Sequence, residues 1–194
     1  MHFSDYLKSV QLLSEEQFLR IHAVPALIFC SQTENFPDSD DNKKTDAWLE
    51  HKTVFFETSS ETTNHKTIAF LRKSNRNPFK DFITVGRAAN NDVVLNKATI
   101  SKAHAFLVQK GLMWQITDQK SSNSTYVDGN KLEPLQPYHL HDNSVIRFGF
   151  EVQASFYSPN GLWSYIQIYQ PEKYQKLFSN VKHLNKNLSA FGDL

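Results

Sequence analysis

One cysteine, Cys30, is all that the 194 residues contain. A single thiol cannot build an intramolecular disulfide framework, so the fold has to be held by packing, and the composition fits a reducing compartment. Cys30 sits in the apolar run Ala26-Leu27-Ile28-Phe29-Cys30, which reads as a buried, inert thiol rather than a reactive one. No apolar stretch approaches the roughly 18 residues needed to cross a bilayer. The start, Met1-His2-Phe3-Ser4-Asp5, lacks the basic and apolar regions of a signal peptide. These absences lead to the expectation of a cytoplasmic protein with no membrane partner. Strong charge bias is absent too: the net charge is +1, and nothing global points to nucleic acid. The eight histidines are dispersed and the lone cysteine has no partner at ligand spacing, so no metal is expected. A Walker-type glycine-rich loop is missing as well, and no cofactor is expected.

What is present begins with aromatic mass. Hydrophobic residues make up 40% of the chain and 15 are Phe, ample for a core. The first 30 residues read as helical. Ser4 and Asp5 are candidate caps for a first helix with Leu7, Val10 and Leu13 inward. Ser14-Glu15-Glu16-Gln17 has the pattern of a capping box, with Phe18, Leu19 and Ile21 as the apolar side of a second helix. Pro25 ends it, and Ala26–Cys30 reads as a buried strand. Residues 31–47 are polar and acidic and read as a loop.

From residue 52 the period changes to two. Thr53–Thr58, Thr67–Lys73, Phe82–Val85, Asp92–Leu95, His104–Val108, Met113–Thr117, Thr125–Val127, Val145–Phe148 and Val152–Tyr157 read as short strands separated by turn signals. Many short strands at close spacing argue for a sandwich rather than a parallel sheet. The tail returns to helical spacing. Ser158-Pro159 starts a helix with Leu162, Tyr165, Ile166 and Tyr169 on one side. After Pro171, a second stripe runs through Tyr174, Leu177, Phe178, Val181, Leu184 and Leu188. It either packs on this chain's own sandwich or meets a partner or second copy. The organisation expected is therefore a helical and acidic extension over 1–51, a β-sandwich over 52–157 and a helical tail over 158–194.

Charge is uneven within the sandwich. Residues 86–131 hold Arg87, Lys97, Lys102, Lys110, Lys120 and Lys131 against Asp92, Asp118 and Asp128, whereas residues 34–50 hold six acids against Lys43 and Lys44. That suits an anionic ligand, or is ordinary solvated surface. Four pieces decide between them: Gly86-Arg87; Ser101-Lys102-Ala103-His104; the run Asp118-Gln119-Lys120-Ser121-Ser122-Asn123-Ser124-Thr125-Tyr126-Val127-Asp128-Gly129; and Leu140 through Gly149. In this order and spacing they resemble the forkhead-associated (FHA) domain, over residues of about 65–157. The resemblance implies an all-β, FHA-type antiparallel β-sandwich with helical N- and C-terminal extensions. It also implies a non-enzymatic module that binds a phosphothreonine-containing protein, downstream of a Ser/Thr kinase.

By the same resemblance, Arg87 is the principal phosphate-binding residue. Ser101 donates its hydroxyl to the phosphate, Lys102 adds a charge contact, and Ser122 offers a second hydroxyl. Asn123 hydrogen-bonds the peptide main chain. Gly86, His104, Ser121 and Thr125 support the loops. Ser101-x-x-His104 lacks a nearby orienting acid and is not read as a nucleophile–base pair. Two positions depart from the family pattern: Ser124 stands where Gly is usual, and Asp128 where Asn is usual. Ser tolerates a positive φ poorly, so the loop is expected to be shifted or strained there. A phospho-independent scaffold, assembled through the sandwich and the C-terminal helix, is the rival reading. An internal ion pair of Arg87 with Asp92 or Asp118 would favour it, whereas convergence of Arg87, Ser101 and Ser122 on one exposed point would favour binding. Thr33, Thr45, Thr58, Thr62 and Thr63 are candidate self-ligands that would link two copies or occupy the site within one.

Overall fold

The computed structural model describes residues 1–30 and 66–168. Eleven strands form two sheets among these residues. In chain order they are β1 (Ala26–Cys30), β2 (Lys66–Phe70), β3 (Ile83–Gly86), β4 (Val93–Val94), β5 (Ala105–Lys110) and β6 (Met113–Asp118), followed by β7 (Thr125–Val127), β8 (Asn130–Lys131), β9 (Pro137–Leu140), β10 (Val145–Phe148) and β11 (Val152–Tyr157). The larger sheet has the order β2-β1-β11-β10-β7-β8 and the smaller β4-β3-β5-β6-β9. Every pair is antiparallel except the two-residue ladder of β3 with β4, which is parallel. Among the described residues three helices flank the sheets: α1 (Phe3–Val10), α2 (Glu15–Ile21) and α3 (Pro159–Ile168).

The sandwich core follows from period-two alternation. Leu27, Val127, Ile146, Phe148, Ala154 and Phe156 project inward from the larger sheet. They meet Ile83, Val85, Leu107, Ile116 and Leu140 from the smaller one. β1 departs from alternation because both of its faces are covered. Leu27 enters the sandwich core, while Ala26 and Ile28 enter a second cluster on the outer face with Phe3, Tyr6, Val10, Phe18, Leu162 and Ile166. A strand buried on both sides reads as a continuous apolar run, which is why Ala-Leu-Ile-Phe looks as it does. β1 comes from the segment assigned to the N-terminal extension, yet it is an interior strand, paired with β2 on one side and β11 on the other.

The helix starts show two different causes. At α2 the capping box forms as the sequence implies: Ser14 Oγ accepts from Gln17 N–H, and Gln17 Oε1 accepts from Ser14 N–H. At α1 neither Ser4 nor Asp5 caps. The helix begins at Phe3 with His2 as an N-cap that makes no side-chain bond. His2 bridges Thr67, and Met1 O accepts from Ile68 N–H, so pairing along the β2 edge sets that start. Phe3, Tyr6 and Val10 are buried on α1. On α2 Phe18 is buried, but Ile21 is half exposed rather than part of an inward face. α3 starts at Pro159 as expected, its first turn held by the Ser158 hydroxyl and by Asp142, which accepts from Ser158 N–H and Oγ–H.

β8 and β9 were not anticipated. β8 is two residues long. β9 begins at Pro137 and is an edge strand, where a missing N–H is tolerated. The strand expected at Thr53–Thr58, the acidic loop 31–47, Tyr169, the stripe from Tyr174 to Leu188 and the five candidate self-ligand threonines lie outside the described residues.

Phe18 is wholly buried and packs against Trp163 of α3 and His22, with ring centroids 5.1 and 4.8 Å apart. Phe18→Ala should therefore cost about 3–5 kcal/mol. A urea titration should show a lower midpoint in one cooperative transition of the whole chain. An unchanged midpoint would mean that the helical layer does not share the sandwich's stability.

Candidate functional site

Two loops meet backbone to backbone at one end of the sandwich. Gly86 ends β3, and a methyl group on its Cα would lie 2.4 Å from the carbonyl oxygen of Lys102. Only glycine permits that approach. Across it, Arg87 N–H donates to Ser101 O (2.9 Å) and Ala88 N–H to Lys102 O (3.2 Å). Asn91, buried beneath, donates from Nδ2 to the carbonyls of Ala88 (2.9 Å) and Lys102 (2.7 Å).

The placement of Arg87 follows. Its side chain is exposed, and Nε–H donates to Ile100 O at 3.0 Å. That contact fixes the stem and leaves both terminal Nη groups, with four N–H donors, without a hydrogen-bond partner among the described residues. Ser101 Oγ accepts from Ser122 N–H at 3.0 Å, and the two hydroxyl oxygens are 3.4 Å apart. Lys102 is exposed beside them. Asn123 donates from Nδ2 to Thr99 O at 2.8 Å, and its Oδ1 makes no hydrogen bond among the described residues. The structure thus brings Arg87, Ser101, Lys102, Ser122 and Asn123 onto one loop surface.

Beneath them lie the supports. His104 is fully buried. Its Nδ1 accepts from Ser101 N–H at 3.2 Å, which assigns the ring proton to Nε2, 3.2 Å from Ser124 O. Burial pushes its pKa below the ordinary 6.5, and the Ser124 carbonyl and the Asp118 charge oppose this only in part. Asp118, also buried, staples the loop. Its carboxylate accepts from Ser121 N–H (3.0 Å), Ser121 Oγ–H (2.6 Å) and Thr125 Oγ1–H (2.7 Å). The signal available was its spacing, three and seven residues before two hydroxyl side chains.

A second buried carboxylate, Asp92, ties the β3–β4 loop to the segment before β3. It accepts from Lys73 Nζ at 2.7 Å and from Ser74 and Thr84 through both backbone and hydroxyl. Burial alone would raise its pKa, but the hydrogen bonds from Lys73, Ser74 and Thr84 hold it well below the usual carboxylate range. Among the described residues, Arg87 makes no ion pair with Asp92 or Asp118. Nor do these residues hold a group of three or more His, Cys, Asp or Glu suited to a metal, and none of their helices is long and apolar enough to cross a membrane. Cys30 is half-buried; burial pushes its thiol pKa up, against a smaller lowering by Lys66.

Ser124 has φ +59° and Asp128 φ +51°. Both departures from the family pattern therefore sit in the left-handed region that favours glycine. Ser124 holds this conformation because its carbonyl accepts from Gly149 N–H and faces His104 Nε2. Ser124→Gly should raise stability by roughly 0.5–1 kcal/mol, the left-handed strain offset by added chain entropy, read as a higher urea midpoint. For His104 the sign runs toward neutral pH. Its folded pKa is depressed, so the unfolded chain takes up the proton first. The contribution is complete above pH 6.5 and is lost as pH falls through that value toward the lower folded pKa. His104→Gln should flatten that part of the stability–pH profile.

Comparison with known proteins places these loops. The FHA domain family model matches residues 83–149. The E3 ubiquitin-protein ligase rnf8 of Danio rerio is 33% identical over 78 residues, 38% of this chain and 16% of that protein. The transcriptional regulatory protein EmbR of Mycobacterium tuberculosis is 33% identical over 75 residues, 36% of this chain and 19% of its own length. The chain thus spans less than a fifth of these relatives. Among solved structures, Mycobacterium tuberculosis EmbR in complex with a low affinity phosphopeptide is 29% identical, covering 40% of this chain and 20% of that one, with a TM-score of 0.38. The MEK1 FHA domain is 17% identical, covering 74% and 98%, with a TM-score of 0.45. The matched segment runs from the first residue of β3 to Gly149 and includes every loop residue gathered around Arg87, so the match to the FHA domain family covers the whole loop cluster.

Proposed function

We propose that this chain binds phosphothreonine segments of a partner protein, with Arg87, Ser101, Lys102, Ser122 and Asn123 as the contacting residues. The observation that carries the reading is the exposed Arg87 fork beside the Ser101–Ser122 hydroxyl pair. A phosphate monoester brings about −1.5 to −2 charges and three acceptor oxygens. The Arg87 stem is already held by Ile100 O, so the two Nη groups can grip two oxygens without further ordering. Either hydroxyl can turn its proton to the third. Asn123 Oδ1 is left to accept a main-chain N–H of the peptide. Threonine is the proposed residue because the family resemblance specifies it.

An internal ion pair of Arg87 with Asp92 or Asp118 would favour the rival scaffold. Both candidate acids are engaged elsewhere: Asp92 by Lys73, Ser74 and Thr84, Asp118 by Ser121 and Thr125. That favours the binding reading. The described flanking residues 1–30 and 158–168 serve the sandwich in this proposal, since α1, α2 and α3 cover its outer face. A Ser/Thr kinase acts upstream of the ligand. A reducing, cytoplasmic setting is consistent with the half-buried lone thiol. No catalytic activity is proposed.

Titration calorimetry with matched peptides should show binding of the phosphothreonine form and none of the unphosphorylated form. Arg87→Ala should weaken binding by about 2–5 kcal/mol, roughly thirtyfold or more, with the melting temperature little changed because the side chain is exposed. Arg87→Lys should recover only part, since an ammonium lacks the planar fork. Equal affinity for the two peptide forms, or an unaltered dissociation constant in Arg87→Ala, would refute the assignment.

A further inference from the structure

One acidic side chain stands beside this basic surface. Glu151, exposed in the turn between β10 and β11, accepts through Oε2 from the Thr99 hydroxyl at 2.8 Å. Thr99 is also the residue whose carbonyl accepts from Asn123. The turn lies tight against both: a methyl group on Gly149 would sit 3.3 Å from Thr99 O and 3.4 Å from Asn123 Cβ. Segment 99–101 therefore has two charged neighbours of opposite sign. Arg87 is fixed to Ile100 O by its side chain and to Ser101 O by its backbone N–H, while Glu151 is fixed to Thr99. Among the described residues Glu151 has no cationic partner. Its second oxygen, Oε1, accepts no hydrogen bond from any of them.

Charges placed this way form a dipolar receptor. We propose that Glu151 is a specificity-determining residue that selects a ligand carrying a lysine or arginine close to the phosphothreonine. This assignment rests on the phosphothreonine reading above. Thr99 and Ser101 are two residues apart, so their Cα atoms are separated by at most about 7 Å. A peptide laid over Asn123 spans that distance in two residues, and the reach of a long basic side chain allows a third. The selected position is therefore two or three residues from the phosphothreonine, on one side only. A neutral or acidic residue there leaves Glu151 unpaired or repelled.

The probe is a set of synthetic phosphothreonine peptides in an alanine–glycine background, with one lysine moved through each of the four positions on either side. Fluorescence anisotropy then gives each dissociation constant. Wild type should bind one lysine peptide, two or three residues from the phosphothreonine, about fivefold tighter than its alanine parent, as expected for an exposed ion pair. The preference should fade with added salt. Glu151→Gln should bring the lysine-to-alanine ratio close to one, and Glu151→Lys should reverse it in favour of glutamate at that position. A flat lysine scan, or a preference that survives in Glu151→Gln, overturns the proposal even while phosphate-dependent binding persists. If phosphorylated and unphosphorylated peptides bind wild type alike, the phosphothreonine reading itself fails and this inference falls with it. Arg87→Ala separates the two residues, because it should weaken every peptide in the set without altering their ranking.

Discussion

The site depends on a single backbone approach, that of Gly86 to Lys102. Four hydrogen bonds follow from that approach: Arg87 N–H to Ser101 O, Ala88 N–H to Lys102 O, and the two from Asn91 Nδ2 to Ala88 O and Lys102 O. Those bonds place Arg87 against Ile100 and Ser101 against Ser122. A side chain at position 86 would separate the loops by the width of a methyl group, and the recognition surface would have no floor. Polar chemistry at the tip thus rests on the absence of a Cβ at the root.

Below that contact, the loops are held by buried groups whose hydrogen bonds have no water to compete with them. His104 and Asp118 each bind two segments, and Asp92 reaches further, to the chain before β3. The three divide the work by charge. His104 serves as a neutral ring, one nitrogen accepting and one donating, while the hydrogen bonds to Asp92 favour its ionised form. Strain at Ser124 is tolerated because its carbonyl is fixed from two sides, by Gly149 and by His104. Ordering the loops in the free state lowers the entropy lost when a ligand arrives.

Much of this was legible in the sequence, for reasons that differ by element. In β3, β5, β10 and β11 the core residues recur at every second position, Ile83 and Val85, Ala105 and Leu107, Ile146 and Phe148, Ala154 and Phe156, and that period marks them. The Ser14–Gln17 capping box is local chemistry and formed as local chemistry requires. That Arg87, Ser101, Ser122 and Asn123 share one loop surface was legible through a pattern of residue types at loop positions, which survives when overall identity is low. What escaped depends on the third dimension. The start of α1 is set by pairing with β2, a partner more than sixty residues away. β9 is an edge strand that begins at Pro137, shortly after Pro134, so its composition reads as loop. Asn91 and Glu151 reach partners in other loops, Lys102 and Thr99, and nothing in their immediate neighbours announces it.

The position of β1 has a kinetic consequence. Ala26–Phe29 pair with Ala154–Tyr157 across nearly the whole described chain, and β1 separates β2 from β11. Contacts of such sequence separation incur loop-closure entropy before they return any stability, so high contact order slows folding. During synthesis the larger sheet cannot close until β11 has emerged, and until then β1 and β2 remain a two-stranded edge with an uncovered apolar face. The segment matched to the FHA family holds neither strand of the closing pair. Excised, it would lose Leu27, Ala154 and Phe156 from the sandwich core. The recognition loops occupy the middle of the chain, yet the rate at which they become functional is set by its two ends.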